Sequence, residues 1–508
     1  MTERRSAREI LALLTDDFTE LPPPPRESKP DGPLAWEGYD ASRARAAQRT
    51  GEDESVVCGT ASVEGTQAVF LAFEFGFLGG SLGVRTGDRL EAAYEHAREH
   101  RLPVVPLVAT GGSRMQEGML ALTQLQRVAH QSTLTREAGL PQIAVLRDPT
   151  TGGGWATLGA GADVILALPG AQIGFAGSRV RPPDADPTAY TAEAQVAAGA
   201  ADAVVRPEEL RETLGRWLRL LSPGAGAGAG AASGAAAVSG AAAGSAVAAV
   251  AAGSRAAGAA PDPQRGGTPP ARASDTHPAP APTHSTPETH PTPAPVPDAL
   301  GDPTLPTTGW HAVQRARDPQ RPRATAYLDA YFTHRLPLSG DRCGGTDPGM
   351  LCGFGEHQGR TIAYAAQTGT PTRPAGYRTA ARLIRLADRL SIPVLTLVDT
   401  PGAANDAEAE REGAGAAIAD LFSAVASART PLTTLVIGEG GSGGALALAA
   451  PGRTWATPDS YFSVIAPELA AAILKRPPEE VEATADQLRI RPQDLAELGV
   501  IRTGDRHS

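Results

Sequence analysis

Residues 435–449, "LVIGEGGSGGALALA", decide the fold class, because an apolar run ends there in a glycine cluster that precedes an alanine-rich segment. A short apolar run before glycine with a helix-forming segment after it is typical of a strand-turn-helix unit in an α/β protein. Three interpretations compete for the glycines: a dinucleotide-phosphate loop, a nucleotide P-loop, or a helix N-terminus that stabilises another negative charge. The rest of the chain decides among them.

The same pattern occurs twice in each half of the chain. In the first half we predict that strands begin at Pro103 ("PVVPLVATGG") and Pro141 ("PQIAVLRDPTTGGG"). In the second half we predict strands at Pro393 ("PVLTLVDTPG") and Pro431 ("PLTTLVIGEGGSGG"), and in both halves the two prolines are 38 residues apart. Amphipathic helical segments lie before and between these strands. The sequence therefore predicts an α/β protein built of two similar β-α-β-α-β modules that arose by duplication.

The bulk composition argues against several classes of function. The chain has 508 residues, a formal net charge of -10 and 3 cysteines. An acidic balance provides no general basic surface for a nucleic-acid backbone. Three scattered cysteines make neither a disulfide framework nor a four-thiolate zinc site. Because the sequence shows neither a signal peptide nor a convincing membrane span, we expect a cytoplasmic, multidomain protein with no nucleic-acid, membrane or metal ligand.

The composition changes abruptly between residues 223 and 305. An alanine and glycine tract, "GAGAGAGAASGAAAVSG", is followed by the proline-rich "PAPAPTHSTPETHPTPAPVPD". Such a segment buries little apolar surface, and its prolines favour extended, unpaired backbone. We predict a linker over residues 223–305, between an N-terminal domain (1–222) and a C-terminal domain (306–508).

The glycine cluster resembles a nucleotide site only in outline. Gly438 begins a G-x-G-x-x-G match, and Asp459 follows 21 residues later. A dinucleotide fingerprint belongs to the first strand of its domain, however, and the matching first-half stretch "PTTGGG" lacks it. A P-loop is excluded because no Lys-Ser/Thr follows the glycines. For an isolated cluster the alternative is structural, since glycine lets a strand and a helix pack closely.

Paired glycine loops favour a different kind of site. Each half has one such loop after its first predicted strand and a second at the start of a helix. The candidates are Gly111, Gly112, Gly152 and Gly153 in the first half, and Pro401, Gly402, Gly443 and Gly444 in the second. Backbone N–H groups and the helix dipole at these turns stabilise negative charge, and one such donor contributes about 2.7 to 4 kcal/mol to a transition state. We therefore predict one oxyanion hole in each half.

Longer motifs surround these glycines. The first half contains "FEFGFLGGSLGVRTGDRL", "GGSRMQEGMLAL" and "AQIGFAGSRV", and the second half contains "PAGYRTAARLIRLADRLSIPVLTLVDTPGA", "VIGEGGSGGALALA" and "YFSVIAPELAAAIL". In these motifs the chain resembles the carboxyltransferase component of acetyl-CoA carboxylase, with a β-subunit-like and an α-subunit-like half fused. The resemblance implies two α/β domains of the crotonase-like (ClpP/crotonase) β-β-α superhelix fold.

The resemblance also implies a reaction and a set of partners. Carboxybiotin, delivered on a biotin carboxyl carrier protein, would give its carboxyl group to the α-carbon of acetyl-CoA or another short acyl-CoA. Gly152-Gly153 with Gly111-Gly112 would bind the acyl-CoA carbonyl, and Gly443-Gly444 with Pro401-Gly402 the biotin carbonyl. No cofactor is expected to be bound covalently. The implied partners are a biotin carboxylase, the carrier protein and a second copy of the chain, in a homodimer equivalent to α2β2.

The chain departs from the family pattern at several points. It lacks the four-cysteine zinc module of the β-like half, and "ANDAEAE" follows "DTPGA" where the family has Tyr-Pro-Gly. Trp155 stands where smaller residues are usual, so its ring could restrict the acyl site. Arg114 is either a substrate-binding residue or part of a solvated helical turn. Two rival functions stay open: a crotonase-fold decarboxylase of acyl-CoA or malonyl substrates, and a noncatalytic scaffold.

Overall fold

The computed structural model describes residues 4–27, 29–222 and 291–502. Within these ranges the chain forms two similar α/β halves, each with an antiparallel strand pair followed by parallel strands. Helices connect the parallel strands and cover the sheets. The predicted pair of crotonase-like modules is therefore confirmed.

A mixed sheet is the framework of the first half. Its strands are β1 (Phe18–Glu20), β2 (Val56–Val63), β3 (Thr66–Phe73), β4 (Val104–Thr110), β5 (Ile143–Thr151), β6 (Val164–Ala167), β7 (Ile173–Gly174) and β8 (Ala203–Val204). Their order is β1-β2-β3-β4-β5-β6-β8, with β7 paired to the end of β5. The strands from β3 to β6 run parallel, so the ends of β4 and β5 meet at one edge of the sheet.

Helices cover both faces of this sheet. They are α1 (Ala7–Leu14), α2 (Tyr39–Thr50), α3 (Val84–Glu99), α4 (Gly118–Leu122), α5 (Gln124–Glu137), α6 (Gly152–Gly154), α7 (Ala192–Ala197) and α8 (Pro207–Leu221). The apolar stripes of α1 and α8 pack on one face, and those of α3 and α5 on the other. Burial of both faces is typical of parallel strands, which read as continuous apolar runs.

The second half repeats this arrangement. Its strands are β9 (His334–Pro337), β10 (Met350–His357), β11 (Arg360–Gln367), β12 (Val394–Thr400), β13 (Leu432–Gly441), β14 (Thr454–Ala456) and β15 (Tyr461–Ser463), in the order β14-β13-β12-β11-β10-β9 with β15 paired to β13. Its helices are α9 (Gly309–Arg317), α10 (Ala324–Tyr331), α11 (Pro374–Arg389), α12 (Ala407–Arg411), α13 (Ala414–Ser427), α14 (Ser442–Leu446), α15 (Pro467–Ile473), α16 (Val481–Gln487) and α17 (Pro492–Glu497). None of the helices in the described ranges is long and apolar enough to cross a membrane.

The four prolines of the sequence pattern stand where parallel pairing starts. The carbonyls of Pro103, Pro141, Pro393 and Pro431 each accept an N–H from the neighbouring strand at 2.9 to 3.0 Å. Proline has no N–H to donate, so it is tolerated at the edge of a strand, where no ladder bond is lost. The equal spacing of the prolines therefore reflects equal strand-helix-strand units in the two halves.

The second half begins earlier than the sequence predicts. Residues 291–305 are predicted as linker, but Ala294 and Val296 are only 2% and 5% exposed in the core beside α10. The carbonyl of Ala294 also accepts a hydrogen bond from the Thr433 hydroxyl at 2.9 Å. Extended proline-rich backbone leaves its carbonyls available for such contacts. Residues 291–305 of the predicted linker therefore pack on the second half, and the rest of the predicted linker, 223–290, lies outside the described residues.

One hydrophobic core continues from the first half into the second. It includes Leu125 of α5 together with Ile418 and Leu421 of α13. The side-chain amide of Gln126 donates to the carbonyl of Ala449 at 2.8 Å, from the first half to the second. Helix α5 therefore belongs to the contact between the two halves.

Candidate active site

The two predicted glycine loops of the first half lie against each other. Gly112, with φ +105°, follows β4, and Gly152, with φ +64°, is the first residue of α6 after β5. A Cβ added at Gly152 would lie 3.2 Å from the Cα of Gly112. Glycine adopts positive φ and close backbone contact without penalty. These residues therefore let the end of β4 and the start of α6 touch.

The predicted loops of the second half meet in the same way. Pro401 and Gly402 follow β12, and α14 begins at Ser442 after β13. A Cβ added at Gly444 would lie 2.5 Å from the amide nitrogen of Ala403 and 3.1 Å from the carbonyl carbon of Gly402. The structure thus brings together the residues that the sequence assigns to each of the two sites.

Equivalent backbone hydrogen bonds hold the loop that follows β4 and the loop that follows β12. Leu82 bonds the residues on either side of Ser113 at 2.9 and 2.8 Å, and Thr372 bonds those on either side of Ala403 at 3.1 and 2.9 Å. In parallel pairing, the residue between two such bonds directs its own N–H away from the paired segment. The N–H groups of Ser113 and Ala403 therefore point away from these ladders.

The available amide donors differ from the predicted ones. Five predicted residues have no free N–H to offer a ligand: Gly111, Gly112, Gly152, Pro401 and Gly402. The four glycine N–H groups donate inside the protein at 2.9 to 3.2 Å, and proline has none. Amide groups without an acceptor among the described residues include those of Ser113, Gly153, Ala403 and Gly443. These five residues therefore shape the two loops without donating from their own nitrogens, and the assignment of the loops to two oxyanion holes stays a prediction.

A local conformation marks each of these free amides. Ser113, Gly153, Ala403 and Gly443 each directly follow a residue with positive φ, and those values are +105°, +64°, +141° and +54°. A left-handed residue turns the next N–H outward, and such turns make concave anion-binding surfaces. The sequence indicates positive φ at only three of these four positions, because glycines precede three of the donors and Ser442 precedes the fourth.

The turns of the two halves contact the same methyl group. A Cβ added at Gly153 would lie 2.4 Å from Cδ1 of Leu125, and one added at Gly443 would lie 3.6 Å from the same atom. The ring of Phe175 also approaches Gly443, at 3.5 Å from the added Cβ. Leu125 is only 1% exposed. We call the turn at Gly153, predicted to bind the acyl-CoA carbonyl, the acyl-side turn, and the turn at Gly443, predicted to bind the biotin carbonyl, the biotin-side turn. The two turns therefore lie next to each other within one chain, with apolar side chains between them.

Arg114 is buried in a cluster of polar and charged side chains. Its guanidinium is 1% exposed and contacts the carboxylates of Glu54 and Glu117 and, at 3.1 Å, the hydroxyl of Tyr39. Burial alone would raise the pKa of Glu54, but the charge and hydrogen bonds of Arg114 outweigh it and lower that pKa to about 2. The donors of Arg114 are occupied by the protein, so the side chain anchors the loop that carries Ser113, and no contact in the structure supports its predicted substrate-binding role.

Trp155 packs between the halves. Its side chain is fully buried, and a Cβ added at Gly415 of α13 would lie 1.9 Å from the indole Nε1. Glycine at residue 415 therefore makes room for the ring. The indole belongs to the contact between α13 and the segment after α6, so the expectation that it restricts the acyl site is not supported.

The segment "ANDAEAE", which departs from the family pattern, docks on the first half. The side-chain amide of Asn405 donates to the carbonyl of Val180 at 2.9 Å, and the hydroxyl of Tyr190 donates to the carbonyl of Asn405 at 2.8 Å. The carboxylate of Glu410 accepts the N–H of Ala176 at 3.0 Å, and burial raises its pKa to about 7. Sequence reasoning missed Glu410, because a charged stretch such as "EAERE" is typical of a solvated helix.

Comparison with known proteins agrees with this geometry. Residues 35–201 match the family described as carboxyl transferase domain, and residues 305–503 match the family described as acetyl co-enzyme A carboxylase carboxyltransferase-like. Over 519 residues the chain is 36% identical to the acetyl-coenzyme A carboxylase carboxyl transferase subunits beta/alpha of Salinispora arenicola, covering 98% of this chain and 81% of that protein. A probable biotin-dependent acyl-coenzyme A carboxylase beta3 subunit of Mycobacterium tuberculosis is 32% identical over 493 residues, covering 94% and 85%.

A crystal structure of transcarboxylase 12S aligns over 98% of this chain and 86% of that one, with 18% identity and a TM-score of 0.36. The two family matches cover successive halves, in the order that the duplicated fold shows. The chain therefore belongs to the acetyl-CoA carboxylase carboxyltransferase family of biotin-dependent acyl-CoA carboxyltransferases, with a β-subunit-like half followed by an α-subunit-like half.

Proposed function

We propose that the chain transfers the carboxyl group of carboxybiotin to the α-carbon of acetyl-CoA, giving malonyl-CoA. The acetyl-CoA assignment is supported by the family description matched over residues 305–503 and by the name of the Salinispora arenicola relative. Among other acyl-CoA substrates, propionyl-CoA is the nearest competitor in size. Comparing kcat/KM for acetyl- and propionyl-CoA tests the choice, and a preference for propionyl-CoA would contradict it.

In this proposal the chain acts through its main-chain donors. On the acyl side, the N–H groups of Ser113 and Gly153 would donate to the thioester oxygen, where negative charge develops as the α-proton passes to the biotin nitrogen that has released the carboxyl group. On the biotin side, those of Ala403 and Gly443 donate to the ureido oxygen. Carboxybiotin supplies the carboxyl group when bound. Each donor contributes about 2.7 to 4 kcal/mol when charge develops at its acceptor, because it is already oriented and needs no reorganisation.

One observation carries the proposal: free amide donors occur as two sets, and one member of each set, Gly153 in the first and Gly443 in the second, adjoins Leu125. Transfer between two carbonyl compounds develops negative charge on two oxygens, which requires two oxyanion sites in one space. A decarboxylase that acts on a single thioester needs one set only. The duplicated donors therefore favour transfer over the decarboxylase alternative.

The deciding experiment is decarboxylation of malonyl-CoA by the full chain, with and without free biotin. Carboxyl transfer run in reverse predicts release of acetyl-CoA that depends on biotin. Equal release without biotin would instead identify a decarboxylase. No release under either condition from the folded protein would favour a noncatalytic scaffold.

A matched pair of variants at Gly443 tests the donor itself. Alanine keeps the N–H, and its Cβ would lie at ordinary contact distance, 3.5 Å from the Phe175 ring. Proline removes the N–H, which has no helical acceptor at this first turn. Gly443→Pro should therefore lower kcat by roughly 100- to 1000-fold, while Gly443→Ala stays near wild type. Equal activity of both folded variants would exclude this N–H as a donor.

The partners follow from the same proposal. A biotin carboxylase and a biotin carboxyl carrier protein would supply carboxybiotin in an ATP-dependent complex, and the malonyl-CoA would serve fatty-acid or polyketide synthesis in the cytoplasm. A homodimer is the proposed assembly. Reconstitution with both partners should give ATP-dependent malonyl-CoA synthesis. The mass of one chain is 52.2 kDa, and light scattering should give twice that mass.

A further inference from the structure

A buried carboxylate of the second half contacts the first half beside the acyl-side and biotin-side turns. Glu410 lies on α12, is fully buried, and accepts a hydrogen bond from the backbone N–H of Ala176 at 3.0 Å. A Cβ added at Gly174 would lie 3.1 Å from Oε1 of Glu410, so glycine there leaves room for the carboxylate. Glu410 therefore fixes the end of β7 from the opposite half.

The segment that Glu410 holds touches both turns. The carbonyl of Phe175 accepts the N–H of Gly152 at 3.2 Å, on the acyl side. The ring of Phe175 lies against Gly443, on the biotin side. Phe175 is therefore a direct link between the two turns.

The surroundings of Glu410 make its charge state consequential. Its Oε2 has no hydrogen-bond partner among the described residues. The charged groups that face it are Arg181, in the segment after β7, and Asp406, at the start of α12, and the phenol of Tyr190 lies nearby. Burial raises the pKa of Glu410 to about 7, the guanidinium of Arg181 favours ionisation and Asp406 opposes it. An ionised carboxylate accepts N–H groups more strongly than a neutral one.

We propose that Glu410 is a positioning residue that holds Phe175 and Ala176 and thereby sets the spacing between the acyl-side and biotin-side turns. This role rests on the proposed carboxyltransferase function. Glu410 touches neither substrate. It acts through the backbone of Phe175.

The first test measures biotin-dependent malonyl-CoA decarboxylation in Glu410→Ala and Glu410→Gln. Glutamine keeps a carbonyl acceptor for Ala176, whereas alanine does not. Glu410→Ala should lower kcat/KM by roughly 10- to 100-fold, as expected for misplacement approaching 1 Å, and Glu410→Gln should keep most of the activity. Glu408→Ala is the control, because Glu408 is on the same helix, is 75% exposed and pairs with Arg373.

The pH profile separates positioning from a merely structural role. As pH rises through about 7, wild-type Glu410 ionises and should hold the N–H of Ala176 more strongly, so the ratio of wild-type to Glu410→Gln activity should rise. An unchanged ratio between about pH 6 and pH 8 would contradict the proposal. Equal, complete inactivity of both folded variants would also overturn it, because the carboxylate would then act in the chemistry itself.

Hydrogen exchange tests the geometry without any activity. In Glu410→Ala, the amides of Gly152 and Ala176 should exchange faster than in wild type, while those of β3 stay unchanged. Unchanged exchange at both amides would refute the positioning role even if the wild-type chain proved inactive with biotin. Faster exchange in an inactive wild-type background would leave the inference standing and count against the proposed function alone.

Discussion

Gly444→Ala is the sharpest steric test of the biotin-side turn. The new Cβ would lie 2.5 Å from the amide nitrogen of Ala403, 2.6 Å from the hydroxyl of Tyr377 and 3.1 Å from the carbonyl carbon of Gly402. Favourable contacts between such heavy atoms need about 3.5 Å, so either the loop or α14 must move by about 1 Å. Backbone atoms cannot rotate aside as a side chain can. The N–H of Ala403 is therefore displaced from its present direction.

A displacement of this size should lower activity without unfolding the chain. Misplacement by about 1 Å costs roughly 100-fold in rate, and loss of one oxyanion donor costs roughly 100- to 1000-fold. We expect kcat for biotin-dependent malonyl-CoA decarboxylation to fall by roughly 100-fold. KM for malonyl-CoA should stay within about 2-fold, because the acyl-side turn is not touched.

Steady-state kinetics on the purified full chain measures both constants, and circular dichroism checks the fold. Gly443→Ala is the matched control, because the nearest atoms to its Cβ would belong to Phe175 and Leu125, at 3.5 Å or more. If the kcat of folded Gly444→Ala stays within about 3-fold of wild type, the second-half turn does not carry the donors proposed for it.

Three further predictions concern the acyl side, its anchor and the pairing of the two turns. Gly152→Ala and Gly452→Ala, at φ +64° and +65°, should each cost about 1 to 2 kcal/mol of stability, but only Gly152→Ala should reduce activity, because Gly452 has open space around it. Equal activity of the two variants would contradict the acyl-side assignment. Arg114→Met should lower the free energy of unfolding by about 3 to 5 kcal/mol at pH 7, measured with denaturant, because it leaves buried carboxylates without their positively charged partner. The loss should shrink towards pH 4 as the Glu54 carboxylate, which no longer has Arg114 beside it, protonates in the variant, and a loss that does not change with pH would exclude this cause. Mixing inactive Gly153→Pro and Gly443→Pro chains should restore no activity if both turns act within one chain, whereas partial recovery would show that they pair between chains.

The strands and turns could be predicted because local patterns determine them. Each proline that begins a strand, such as Pro103, is visible as a break before an apolar run, and equal spacing then indicates duplication. The direction of an amide is not visible in this way. Gly112 was identified by its missing side chain, yet its own N–H bonds Thr110 at 3.0 Å, and the free donor is the next residue, Ser113. Composition indicates where backbone can approach, whereas φ and pairing decide which N–H points outward.

The remaining discrepancies involve partners that are distant in sequence. Arg114 meets Glu54 across 60 residues, and Glu410 meets Ala176 across 234. A charged residue near the start of a helix reads as solvated unless such a partner is known. The segment around Ala294 has much the same composition as the linker before it. Only the contact of Ala294 with the core of the second half distinguishes this segment from the linker. In each case tertiary packing determines whether the residue is buried, and a short window of sequence carries no information about that packing.

The comparison of the two halves identifies what the duplication has kept at the site. In the first half, α6 begins at Gly152, with φ +64°. In the second half, α14 begins at Ser442, with φ +54°. A residue with a Cβ adopts that conformation at a cost of about 1 to 2 kcal/mol, so serine is not chosen there for ease of folding. Both halves nonetheless keep positive φ at this position and leave the next amide, Gly153 or Gly443, without an acceptor among the described residues. The preserved feature is therefore the sign of φ and the outward N–H that it produces, and glycine is only the most common way of meeting that requirement.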